Sequence, residues 1–166
     1  MLEIFRKNKD SELCKITSPI SGNVISLDNV PDQVFSKKIV GDGAAIEPND
    51  GLVLSPCNGK IAQIFRTNHA IVIVSDDGLE ILIHLGLDTV ELNGYGFERI
   101  SQVGANVKIG DPIMRMDINK VKDMNKNTVT PVIILNTDNI SGIKIFEGIK
   151  IAGKDELMHV SLKSSI

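Results

Sequence analysis

Short apolar runs separated by turn-forming residues are the feature that most constrains how this chain can fold. No segment sustains a 3.6-residue apolar period over three helical turns, and the best helix candidates, residues 32–39 and 119–127, are brief. The apolar runs are rich in Val, Ile and Leu and are bounded by Gly, Pro, Asn or Asp, as in short strands joined by tight turns. They occupy residues 23–27, 60–65, 70–74, 79–85 and 131–135. The sequence therefore predicts an all-β fold with only short helical turns.

A phrase that occurs twice indicates that the fold is built from duplicated units. Ser-Pro-x-x-Gly, followed by an apolar strand, is found at residues 18–24 and again at residues 55–61. Each copy ends a loop and opens a strand. We therefore predict an antiparallel β-sandwich or barrel of duplicated hairpin units. Residues 16–166 should form its single domain, which is large enough for a core without metals or disulfides, and residues 1–15 a flexible N-terminal segment.

The charge balance and the cysteine content exclude several classes of protein. The chain has 18 Lys and Arg residues against 21 Asp and Glu, a formal net charge of −3, which provides no broad positive field for a nucleic acid. Cys14 and Cys57 have no second cysteine or histidine at zinc-site spacing and are interpreted as reduced thiols. No secretory signal or membrane-spanning stretch is present in the sequence. We expect a cytoplasmic protein that does not bind nucleic acid and is not an integral membrane protein.

Two of the three histidines flank a predicted β-hairpin. His69 precedes the run at residues 70–74, and His84 lies near the end of the run at residues 79–85. The four residues 75–78 are rich in turn formers and are expected to form the loop. A four-residue loop places His69 directly opposite His84, with Cβ atoms about 4.5–5.5 Å apart on one face of the sheet.

The same register predicts the side chains that surround the two imidazoles. Ile71 is expected opposite Leu82, and strand alternation carries Thr67 and Phe65 to the same face. His159 lies apart in the C-terminal run and is interpreted as an ordinary strand residue. The predicted site therefore holds two histidines and a hydroxyl group in an apolar surround.

Such a group of residues is suited to carrying a phosphoryl group. A neutral imidazole is a nucleophile near pH 7, and its nitrogen leaves readily when the phosphoryl group is passed on. A second imidazole and a threonine hydroxyl can donate hydrogen bonds to the phosphoryl oxygens during transfer. Because this transfer needs positioning more than covalent assistance, a small site is sufficient.

Three other functions are compatible with parts of the sequence. The paired histidines could bind zinc with Asp88 as a third ligand, as in a zinc-dependent hydrolase on a related β scaffold, although no His-x-His or HExxH motif is present. The histidines could also be packed residues of a passive binding module. Met114-Arg115-Met116 is similar to a biotin attachment site, but an arginine cannot form the required amide.

Longer motifs make a family resemblance visible. They are Thr67-Asn68-His69-Ala70, the string from Ile83 to Leu92 with the sequence IHLGLDTVEL, and Gly94-Tyr95-Gly96-Phe97. These motifs, together with others between about residues 16 and 160, resemble the glucose-family IIA component of the bacterial phosphoenolpyruvate-dependent sugar phosphotransferase system. The resemblance implies a β-sandwich of duplicated units, a phosphotransferase function and a place in sugar transport.

The resemblance also implies a role for each site residue. His84 matches the residue that is phosphorylated at Nε2 by the phosphocarrier protein HPr and passes the group to a cysteine in the IIB domain of a sugar permease. His69 matches the histidine that supports the phosphoryl group without carrying it. Thr67 matches a threonine that hydrogen-bonds within the site. No cofactor is expected to be required, although zinc held by His69, His84 and a carboxylate of a partner protein is known in the family.

Partner docking in the family uses an apolar depression with acidic residues at its margin. By resemblance, Phe65, Ile71 and Leu82 are expected to form the apolar part, and Asp32 and Asp88 the acidic margin. Charges of this kind act mostly on the association rate. We further expect a free-standing, diffusing IIA protein, for which regulation of other permeases or kinases is a second role suggested by the family.

Overall fold

The computed structural model describes residues 12–164, and most of its regular secondary structure is antiparallel β-strand. Each of the five predicted apolar runs coincides with a strand to within one residue at either end, so the all-β prediction is confirmed. Fourteen strands are found among the described residues: β1 Leu13–Thr17, β2 Gly22–Ser26, β3 Asp42–Pro48, β4 Leu52–Leu54, β5 Gly59–Ile64, β6 Ala70–Ser75, β7 Glu80–His84, β8 Phe97–Arg99, β9 Asn106–Val107, β10 Pro112–Met116, β11 Thr130–Ile134, β12 Ile140–Ile145, β13 Gly148–Lys150 and β14 Glu156–Leu162.

The strands form one large sheet and two small ones. The large sheet has eight strands in the order β13-β2-β3-β11-β7-β6-β5-β9. The small sheets have the orders β1-β14-β12 and β4-β10-β8. Strand β1 begins at Leu13, so ordered structure starts inside the segment 1–15 that was predicted to be flexible, and residues 1–11 lie outside the described part of the chain.

Helices contribute little, as the absence of long helical periodicity predicts. Within residues 12–164 there are two α-helices, Gln33–Ser36, here called α1, and Ile118–Asp123, here called α2. Both are shorter than the predicted segments. Asp32 begins α1 by accepting a hydrogen bond from the Val34 N–H at 2.9 Å, an N-cap that satisfies a backbone donor with no partner inside the helix. Short 3₁₀ turns cover Leu27–Asn29, Thr89–Leu92 and Thr137–Asn139.

The duplicated Ser-Pro-x-x-Gly phrase forms two equivalent turns that are linked to each other. The hydroxyl of Ser18 donates to the carbonyl of Ile20 at 2.9 Å, and that of Ser55 donates to the carbonyl of Cys57 at 2.7 Å. Reciprocal backbone hydrogen bonds join the units: the Leu54 N–H donates to the first proline's carbonyl, and the Thr17 N–H to the second proline's. The prediction of duplicated units is therefore confirmed.

The central strands of the large sheet are buried on both faces. Strand alternation sends Ile71 and Ile83 to a large apolar cluster that contains residues from all three sheets. Leu82 and Ile133 point to the opposite face, where a smaller apolar cluster packs under Phe35 of α1. The predicted site residues therefore divide between two faces of the same sheet.

Candidate functional site

His84 is held at the end of β7 by the turn that follows it. The His84 Nδ1–H donates to the carbonyl of Gly86 at 2.7 Å. Gly86 has φ of 80°, and a Cβ at this position would lie 2.6 Å from Cγ2 of Thr89 and 2.7 Å from the carbonyl oxygen of Asn127. Since a carbonyl oxygen only accepts, Nδ1 carries the proton and the neutral ring keeps its lone pair on Nε2.

The β6–β7 hairpin does not have the predicted register. Its loop contains three residues, Asp76 to Gly78, because Gly78 is left-handed with φ of 90° and Ser75 already pairs with Leu79 through a 2.9 Å hydrogen bond. Ala70, rather than His69, therefore lies opposite His84. The prediction that His69 opposes His84, made from a four-residue loop, is wrong by one residue.

The two histidine rings are nevertheless adjacent. His69 lies just before β6, in the loop that joins β5 to β6, where Asn68 has φ of 62°. Continued strand geometry would direct the side chain of His69 to the face opposite His84, because the two residues are out of phase by one position. The turn at Asn68 changes this direction, and the ring centroids lie 5.2 Å apart with an interplanar angle of 77°.

Thr67 and His69 form a hydrogen-bonded pair beside His84. Oγ1 of Thr67 lies 2.5 Å from Nδ1 of His69, and His69 is 5% exposed. His84 is half-buried and therefore open to an approaching group. The hydrogen bonds found for these two rings among residues 12–164 involve Nδ1 in both cases, so Nε2 is the nitrogen left for chemistry.

Burial keeps both rings neutral at pH 7. Desolvation, together with the nearby His84, lowers the pKa of His69 from 6.5 to about 4. Desolvation also lowers the pKa of His84 from 6.5, against the opposing effects of the Gly86 carbonyl, Asp32 and Asp88. Neutral imidazole is the nucleophilic form, so the site is prepared to accept an electrophile without first losing a proton.

The apolar surround is formed partly by residues that differ from the prediction. The ring of Phe65 lies 5.4 Å from that of His69, centroid to centroid. Leu82 is 8% exposed and packs in the smaller cluster beneath the site, with Val72 opposite it on β6. Ile71 is completely buried in the large cluster on the other face and pairs with Ile83, so its assignment to the docking surface and its pairing with Leu82 are wrong.

Several neighbouring residues were missed by sequence reasoning. The ring of Phe35 lies 5.0 Å from that of His84 and forms part of the site. Val34, Ile39 and Val40 are exposed apolar residues on and just after the same helix, and Val90 is exposed in the 3₁₀ turn Thr89–Leu92 that follows His84 in the chain. The available signal was the single aromatic residue in the predicted helix 32–39, but no spacing rule connects that helix with β7.

The remaining predicted groups stand at the margin of the site or away from it. Asp32 and Asp88 both act on the charge of His84, and Asp88 is exposed. His159 lies in β14 and pairs with Glu156, with Nε2 and Oε2 2.6 Å apart. Among residues 12–164, no group of three or more His, Cys, Asp or Glu side chains is arranged to hold a metal ion.

A family comparison identifies the arrangement. Residues 14–140 match the model of a protein family described as "phosphoenolpyruvate-dependent sugar phosphotransferase system, EIIA 1". The chain belongs to this EIIA family. It is therefore a phosphotransferase component of a sugar phosphotransferase system and a phosphoryl carrier in sugar transport, as its motifs predict.

Relatives of the EIIA chain include separate proteins and a part of a longer one. It is 48% identical over 160 residues to the PTS system glucose-specific EIIA component of Buchnera aphidicola subsp. Baizongia pistaciae, with 94% of this chain and 95% of that protein covered. It is 42% identical to the PTS system N-acetylglucosamine-specific EIICBA component of Escherichia coli K12, over 89% of this chain and 23% of that protein.

A solved structure shares the fold of the EIIA chain. The glucose permease IIA from Mycoplasma capricolum is 33% identical, with a TM-score of 0.82 over 89% of this chain and 96% of that one. In the described part of the EIIA chain, no helix combines the length and apolar composition that crossing a membrane requires.

Proposed function

We propose that His84 is the residue that carries the phosphoryl group, on Nε2. The observation that carries this proposal is the hydrogen bond from His84 Nδ1 to the Gly86 carbonyl, which leaves the lone pair of a neutral, half-buried ring on Nε2. As the new P–N bond forms there, the bond between phosphorus and the donor's nitrogen breaks. The group then leaves in the same way when an acceptor's sulfur attacks phosphorus.

In this mechanism His69 and Thr67 support the transferred group. The ring of His69 lies within reach of a phosphoryl group on His84, given the 5.2 Å between centroids. Oγ1 of Thr67 and Nδ1 of His69 share a hydrogen bond. When the Thr67 hydroxyl donates to Nδ1, the ring proton lies on Nε2, from which His69 donates to a phosphoryl oxygen. A donor fixed in advance stabilises charge on phosphoryl oxygens without reorganising during transfer.

The donor is HPr and the acceptor is the IIB domain of a glucose-type sugar permease. The family membership supports this assignment, and the Escherichia coli relative joins an EIIA-like part to a permease in one chain. Phe65 and the exposed Val34, Ile39, Val40 and Val90 offer an apolar docking surface, with Leu82 beneath it and Asp32 and Asp88 at its margin. The acidic margin suits a partner with a basic patch and raises the association rate. The protein would act in the cytoplasm, and regulation of other permeases or kinases is a further expectation.

The proposal is tested by reconstituting the transfer. Incubation with phosphoenolpyruvate, enzyme I and HPr should place acid-labile, base-stable phosphate on the protein. His84→Ala should abolish this labelling, and the control His159→Ala should leave it unchanged. His69→Gln should still accept phosphate but lose transfer to a glucose-type IIB domain. Labelling that survives in His84→Ala would refute the proposal.

Zinc is an additional ligand that the histidine pair could hold. When Nδ1 of His69 carries the proton and donates to Thr67, both neutral imidazoles present an Nε2 lone pair. The pair then matches two positions of a tetrahedral site, and a carboxylate from a partner protein would supply a third. There the ion would link two proteins. A zinc hydrolase is not proposed, because the described residues provide no third ligand of their own. Purified protein should therefore contain less than stoichiometric zinc when no partner is present.

A further inference from the structure

We propose that Arg99 is a positioning residue for phosphoryl transfer, acting through Asn68 on His69; this inference rests on the proposed function. Arg99 ends β8, in the small sheet β4-β10-β8 rather than in the sheet that carries the histidines. Its Nε and Nη2 both donate to Oδ1 of Asn68, at 3.0 and 2.7 Å. The guanidinium therefore joins a second sheet to the loop that holds His69.

Asn68 is the residue whose conformation decides where His69 points. It adopts φ of 62°, a left-handed conformation that asparagine tolerates better than most residues, and its N–H donates to the Phe65 carbonyl at 2.7 Å. It also separates Thr67 from His69, the two members of the hydrogen-bonded pair. An extended Asn68 would return His69 to the strand alternation that leads away from His84.

The chemistry of the contact suits an arginine. Two N–H groups held in one plane converge on a single oxygen, so the Oδ1 atom of Asn68 is held in position. A lysine has one ammonium group at that point and fixes less of this geometry. Because Arg99 is exposed and Asn68 is only partly buried, the contact adds little to global stability. Its removal should therefore act on the position of His69 and not on folding.

The test uses variants that separate the hydrogen bond from the backbone conformation. Arg99→Gln removes the paired donors. Asn68→Gly keeps the left-handed conformation but removes the acceptor. Asn68→Asp retains an acceptor oxygen at the same position. Arg115→Gln is the matched control, since Arg115 is an exposed arginine on β10 of the same small sheet and loses the same charge.

Transfer from the phosphorylated protein to a glucose-type IIB domain is measured over a range of IIB concentrations. Arg99→Gln and Asn68→Gly should each lower the maximal rate about tenfold, with the half-saturating IIB concentration within about twofold of native, because misplacement of a group affects the reacting geometry rather than docking. The double variant should be no slower than the slower single variant, and Asn68→Asp should be close to native. The control Arg115→Gln should transfer at the native rate.

Nitrogen NMR of the His69 ring provides a readout that does not depend on transfer. Arg99→Gln should shift or broaden the His69 Nδ1 and Nε2 signals, whereas Arg115→Gln should not. Both variants should have the same unfolding temperature as the native protein. Native-like rates in Arg99→Gln, an effect on half-saturation alone, multiplicative rate losses in the double variant, or unchanged His69 signals would each overturn the positioning role. Failure of the native protein to label on His84 would instead overturn the proposed function, and the NMR comparison would still decide the role of Arg99.

Discussion

At the scale of single residues, the site depends on backbone positions with positive φ. Gly86 at 80° holds the carbonyl that orients the His84 ring, and Asn68 at 62° turns His69 toward it. The Thr89 hydroxyl donates to the Leu85 carbonyl at 2.6 Å and holds the turn after His84. Both histidines are thus oriented by turns next to them in the chain rather than by strand geometry.

Gly86→Ala should damage both stability and phosphorylation. An added Cβ meets Thr89 and the Asn127 carbonyl at 2.6 and 2.7 Å, and alanine also disfavours a φ of 80°. We expect a loss of about 2 to 4 kcal/mol in the free energy of unfolding, measured in urea, and slower labelling by HPr. Gly104→Ala is the control, because Gly104 has φ of 88° with open space around it and should lose only about 1 kcal/mol. Equal losses in the two variants would show that crowding at Gly86 is unimportant.

At the scale of secondary-structure elements, turn chemistry determines which residues meet. The three-residue loop after β6 sets the hairpin register, and the register sends Ile71 to the core and Leu82 to the face of the site. The two Ser-Pro-x-x-Gly turns similarly align β2 and β5 as equivalent strands. A difference of one loop residue therefore changes which face of the sheet every side chain of a strand is paired on.

Ser18→Ala and Ser55→Ala should destabilise the fold by similar amounts. Both hydroxyls are fully buried and both donate to the carbonyl two residues later. Removing either donor leaves a buried carbonyl with one hydrogen bond fewer, so each variant should lose about 1 to 3 kcal/mol in unfolding free energy. The measurement is urea unfolding, with the exposed Ser164→Ala as a surface control near zero. A large effect in only one of the buried pair would contradict their structural equivalence.

At the scale of the whole molecule, the large sheet is a partition between two apolar clusters. One cluster joins all three sheets, and the other lies under α1 and supports the histidines. Burial of the site on this second face lowers the pKa of both rings. The same packing that stabilises the fold therefore favours the neutral form of both rings, and it couples folding to protonation.

Global stability should fall as the pH decreases from about 6.5 to 4. The unfolded chain binds a proton at His69 near pH 6.5, whereas the folded protein binds it only near pH 4. The free energy of unfolding therefore falls as the pH decreases through this window, and the contribution of His69 is fully present above pH 6.5. Between pH 7.5 and pH 5 the loss from His69 should be about 1 to 2 kcal/mol. Urea unfolding with a chelator present measures it. His69→Gln should flatten the profile in that range, and an unchanged profile would contradict the lowered pKa.

Much of the fold and part of the site could be predicted without coordinates. The positions of β2, β5, β6, β7 and β11 followed from apolar runs and turn residues, since both are local properties. The repeated phrase also indicated duplication correctly. His69, His84 and Thr67 were found because histidines are scarce and flank one hairpin. The extent of α1 and the start of β1 were less accurate, because helix ends and strand edges depend on distant packing.

The sequence by itself determined the all-β architecture, the duplicated turns and the family, because these reside in local patterns and motifs. Only the tertiary structure decided the register of the β6–β7 hairpin, since a left-handed Gly78 shortens its loop by one residue. It also decided that Phe35 packs on His84 and that Arg99 holds Asn68, contacts between residues far apart in the chain. Such contacts follow from how sheets pack on one another, and no periodicity along the chain records them.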